Sequence, residues 1–61
     1  MTIPQSLIEI VQSLSSAEGY YAVTNDIFKG YSEFEILAAA KVCGVWVEWS
    51  KYEQCMVVVP N

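Results

Sequence analysis

Both ends of a helix are written into Ser32-Glu33-Phe34-Glu35-Ile36-Leu37-Ala38-Ala39-Ala40-Lys41-Val42-Cys43-Gly44. Ser32 followed three residues later by Glu35 is a capping box, and Gly44 supplies a left-handed stop. Good helix formers fill the interval. Projected at about 100° per residue, Phe34, Leu37 and Ala38 cover one side while Ile36, Ala39, Ala40 and Cys43 cover the other. Glu33, Glu35 and Lys41 are scattered between them. A helix apolar on more than one side needs cover on more than one side, and a chain of 61 residues has little material to supply it. The expectation is a helix with a face left over for protein. Ile36, Ala39, Ala40 and Cys43, small enough for close packing, are read as that face, with Glu33 at its leading turn.

Upstream, Thr2 and Gln5 have the spacing of a second capping box, with Pro4 in the first turn. Ile3, Leu7, Ile10 and Leu14 recur at helical spacing opposite Gln5, Glu9, Gln12 and Ser13, which predicts an amphipathic helix ending between Ser15 and Gly19. Tyr20 to Val23 is a short β-prone run. Thr24, Asn25 and Asp26 then offer N-caps for a brief helix over Asp26 to Lys29, closed by Gly30. Two helices joined through Gly30 and Tyr31 would form a tight helix-turn-helix.

Downstream of Gly44 the period changes to two. Val45, Val47 and Trp49 point to one side of a strand, and Trp46, Glu48 and Ser50 to the other. Lys51 to Gln54 is the turn of a hairpin, expected as a type I turn in a loop of about three to five residues. Cys55 to Val59 is the return strand, stopped by Pro60. Both faces of this hairpin carry large apolar groups, so Trp46 is expected at the surface, and Tyr52 sits at the tip.

Helix, short strand, short helix, tight turn, third helix and hairpin is an order of elements that resembles the winged helix-turn-helix superfamily. The resemblance covers nearly the whole chain. It implies a single α+β domain over residues 1–61, a small winged-helix-like domain with three helices, a C-terminal β-hairpin and a short strand after the first helix. It also implies that the third helix occupies the DNA-reading position and Lys51 to Gln54 the wing tip. The residues there do not suit DNA. Readers of base edges are typically Arg, Lys, Asn or Gln, whereas this helix leads with Glu33 and Glu35 and has Lys41 as its only cation.

Composition narrows the function further. More than half of the residues are apolar, so disorder is not expected. Three cations against seven carboxylates give a net charge of −4, which argues against nucleic acid and anionic membranes as partners. The absence of histidine removes the commonest general base and metal ligand. Cys43 and Cys55 lie among apolar neighbours with no evident catalytic partner and are read as free thiols. Glu33 and Glu35 point about 160° apart on a helix, so they form no carboxylate pair and serve the helix dipole instead. Gly19, Gly30 and Gly44 are spaced as helix terminators. No enzyme, cofactor or metal is expected.

No stretch reads as a signal peptide or a membrane span, which places the chain in the cytoplasm of its own cell or of a host. The surplus of Tyr and Trp favours contact with protein, since these types dominate binding hot spots. The sequence reading is a small acidic, non-catalytic protein-protein interaction module, a regulator or inhibitor that occupies a basic or nucleic-acid-binding surface of a partner and also forms a homodimer. Its contact residues are expected to be Glu33, Ile36, Ala39, Ala40, Cys43, Trp46 and Tyr52. In size and charge it is similar to small phage and mobile-element proteins that inhibit host machinery. The alternative is a dimeric winged-helix transcriptional regulator, with Lys29, Lys41 and Lys51 on DNA phosphates.

Overall fold

The computed structural model describes residues 2–16 and 18–60. Its elements are helix α1 (Gln5–Leu14), strand β1 (Tyr21–Ala22), a 3-10 turn (Asp26–Phe28), helix α2 (Glu33–Cys43) and strands β2 (Trp46–Ser50) and β3 (Cys55–Val59). The strands form one antiparallel sheet in the order β1-β3-β2. Both helices pack on the same face of it.

Two helices and a three-stranded sheet replace the expected three helices with a hairpin, for two physical reasons. The segment after Asn25 is too short to close an α-helical ladder: the Asn25 side chain accepts from the Ile27 amide at 3.0 Å, and a single 3-10 turn results. The run before it is not an isolated strand. Tyr21 and Ala22 pair with Val58 and Val57 of β3, and the Val23 amide extends that pairing by donating to the Met56 carbonyl at 3.1 Å. The helix-turn-helix expected around Gly30 is therefore absent.

Helix α1 also starts differently from its sequence signal. Pro4 is the N-cap, with ψ 131°, and no side chain caps the helix. A cap at Thr2 would make Ile3 the first helical residue, and a residue preceding proline disfavours the α conformation. The carbonyl of Pro4 instead accepts from the amides of Leu7 and Ile8. At the other end, the hydroxyls of Ser13 and Ser15 turn back to the carbonyls of Ile10 and Gln12 at 2.6 and 2.8 Å. These local bonds give carbonyls near the helix end an extra donor; that of Gln12 also accepts from the Ser15 amide at 3.1 Å.

Helix α2 has the ends its sequence predicts. Ser32 Oγ accepts from the Glu35 amide at 3.2 Å, and Glu35 Oε1 accepts from the Ser32 amide at 2.9 Å. Gly44 has φ 73° and donates back into the last turn. Its face formed by Ile36, Ala39 and Ala40 is fully buried. Together with Leu7 and Val11 of α1, Phe28 of the 3-10 turn, Val45 and Val58, it makes the core. Each large side chain here contributes about 1.5–3 kcal/mol by leaving water. Ser6 and Tyr31 share a hydrogen bond of 2.6 Å that ties α1 to the loop before α2.

The hairpin closes through a four-residue loop, with the Gln54 amide donating to the Ser50 carbonyl at 2.8 Å and the Glu53 amide to Ser50 Oγ at 3.1 Å. Gln54 takes the left-handed conformation at φ 56°. In register, Trp46, Val47, Glu48, Trp49 and Ser50 face Val59, Val58, Val57, Met56 and Cys55. Val45, Val47 and Val58 look toward the helices. The opposite face has no helix over it, yet Val57 on the middle strand is only 2% exposed. Tyr20 reaches the carboxylate of Glu53, hydroxyl to oxygen 3.5 Å.

Candidate interaction surface

The expected contact residues divide into three groups. Glu33, Trp46 and Tyr52 are exposed, the last two at 67% and 93%. Cys43 is half-buried, its thiol 3.8 Å from the carbonyl of Ile8 on α1. Ile36, Ala39 and Ala40 are fully buried in the domain's own core and offer nothing to a partner. The small-residue face of α2 is suited to close packing, as its composition indicates, but what packs on it is α1 and the sheet. Self-association through that face is ruled out in this fold.

The face left over is the other one. Phe34 is 76% exposed, Val42 is also exposed, and Leu37 and Ala38 are half-buried. Trp49, which was not among the expected contact residues, is 60% exposed. It belongs by register to the core side of the sheet but lies at the hairpin end, past the cover given by the helices. Phe34, Val42, Trp46, Trp49 and Tyr52 thus put five large apolar side chains at the surface of α2, β2 and the hairpin tip.

Between α2 and β2 lies a groove of about 360 Å³ lined by Leu37, Lys41, Val45, Trp46 and Val47. Leu37 and Lys41 stand one helical turn apart on the exposed side of α2. Its walls are apolar except for Lys41, whose methylene stem can line the groove while its ammonium stays in water. β2 forms one margin of the sheet, so the groove lies beside a strand whose outer edge is unpaired.

No polar side chain is buried among the described residues, and none leaves a buried nitrogen or oxygen without a partner. Among the same residues no three His, Cys, Asp or Glu side chains stand close enough to share a metal ion. Cys43 and Cys55 are free. No helix among them is long and apolar enough to cross a membrane. No protein-family model matches the chain, and neither a curated protein nor a solved structure shows significant similarity to it.

Proposed function

We propose that this domain is a non-catalytic protein-interaction module that acts as a regulator or inhibitor by occupying a surface of a partner protein with its α2–β2 face. One observation carries the reading: Trp46 lines an apolar groove and stands exposed on an edge strand of the sheet, which also exposes Trp49. Tryptophan is the residue type most enriched at binding hot spots. An acidic chain of net charge −4 favours a basic partner, including one whose surface otherwise holds nucleic acid. The setting that fits is the cytoplasm of its own cell or of a host.

Capture of a partner from the source cell, compared between wild type and a Trp46→Ala/Trp49→Ala variant, tests this. A partner held by wild type and lost by the variant, with an unchanged circular dichroism spectrum, is the expected result. Equal capture by both would overturn the assignment of the surface. Tight, salt-sensitive binding to duplex DNA that disappears in Lys41→Ala/Lys51→Ala would instead favour a DNA-binding regulator.

A further inference from the structure

The free edge of β2 has a definite polarity of bonding. Because the Val23 amide donates to the Met56 carbonyl, Met56 turns its backbone toward β1 and away from β2. Its register partner Trp49 must then turn its own N–H and C=O outward, and by alternation so must Val47, opposite Val58. Neither residue has a backbone hydrogen-bond partner outside the β2–β3 ladder among the described residues. Two donors and two acceptors are therefore presented in a row along this edge. Glu48 lies between them, exposed on the sheet face away from the helices.

We infer that this edge receives an extended cationic segment of the partner, which adds antiparallel to β2 as a fourth strand; the inference rests on reading the α2–β2 face as a protein-contact surface. An added strand that uses all four backbone groups has bonded positions opposite Val47 and Trp49. The position between them, opposite Glu48, is the non-bonded kind in which facing side chains come closest. A carboxylate there selects Lys or Arg. On the other face the added side chains meet the groove of Leu37, Val45 and Val47, which selects apolar groups, and Lys41 disfavours a second cation. The recognised pattern is apolar, cationic, apolar.

A second copy of this chain fits that edge poorly. The two-fold register that uses all four groups sets Glu48 opposite Glu48, and like charges directly opposite are destabilising. A shift of two residues places Trp49 opposite Val45, whose N–H is already given to Ala40, or Val47 opposite Lys51 in the turn. The net charge of −4 on each copy adds to the mismatch.

The test is titration of the ¹⁵N-labelled domain with the peptide acetyl-Thr-Val-Arg-Val-Thr-amide, beside versions with Glu for Arg or with both valines N-methylated. Saturable shifts at the amides of Val47 and Trp49 are expected, about tenfold weaker binding for the Glu peptide, and none for the N-methylated one. In a folded Glu48→Lys domain the charge preference should reverse. Absence of saturable binding, indifference to N-methylation or indifference to charge would each overturn the proposal. So would a dimer in sedimentation that Glu48→Lys leaves intact and a Val47→Pro change dissolves, because a second copy would then own the edge. If the tryptophan variants lose the cellular partner while the peptides fail to add as a strand, the contact surface stands and only this binding mode falls.

Discussion

A carboxylate introduced at Ala40 would have no water to face. Ala39 and Ala40 have no exposed surface, and their methyl groups set how closely α2 approaches the rest of the core. A charge buried there without a partner costs several kcal/mol. Ala40→Glu is therefore expected to lower the unfolding free energy by about 3 kcal/mol or more, enough to unfold much of a domain this small. Val42, two residues on, is exposed. Val42→Glu should shift stability by no more than about 0.5 kcal/mol. Urea titrations of the two variants distinguish the faces of α2 directly; equal losses would mean that both faces are buried. Phe28, the largest buried side chain, gives a further test: Phe28→Ala should cost about 3–5 kcal/mol in the same assay.

At the scale of elements, α2 depends on its caps. Ser32→Ala removes the acceptor of the Glu35 amide and should cost about 1 kcal/mol. Gly44→Ala forces a side chain into φ 73° at a similar cost of about 1–2 kcal/mol. Denaturation midpoints measure both, and a neutral Ser32→Ala would show that the capping box contributes nothing in solution. β2 offers a sharper signature in hydrogen exchange. The amides of Trp46, Glu48 and Ser50 point into the ladder with β3 and should exchange slowly, while those of Val47 and Trp49 should exchange near the rate of an open strand.

The caps of α2, the hairpin and the span of its loop were legible because their signals are local: a side chain three residues from its acceptor, a period of two, a glycine at a stop. The short strand after the first helix was legible too, but its place in the sheet was not, because Tyr21-Ala22 meets Val58-Val57 from the far end of the chain. The 3-10 turn was misjudged as a helix for a related reason, since N-caps announce a start and say nothing of length. The choice of face on α2 could have been read correctly. Ile36, Ala39, Ala40 and Cys43 stand at i, i+3, i+4 and i+7, the stripe of a core-facing helix, whereas Lys41 interrupts the matching stripe from Phe34 and marks it as the solvent side. Of the exposed apolar residues, Trp46 and Tyr52 were visible in the sequence. Trp49 was not, because alternation placed it inward and only the limited reach of the helices leaves it uncovered.

Taken whole, the molecule combines exposed apolar side chains with a net charge of −4, which opposes association of copies at neutral pH. That protection fades near the isoelectric point of about 4.3. Light scattering between pH 7 and that value should show association as the charge falls, and Trp46→Ser/Trp49→Ser should delay it; identical curves would mean that the tryptophans take no part. The strand order has a consequence of another kind. β3 is the middle of the sheet in space and the last of the strands along the chain, so β1 and β2 share no bond with each other and both wait for Cys55–Val59. Loss of Cys55–Val59 would therefore leave neither of the other strands a partner, and a chain cut after Gln54 is expected to lose the whole sheet at once.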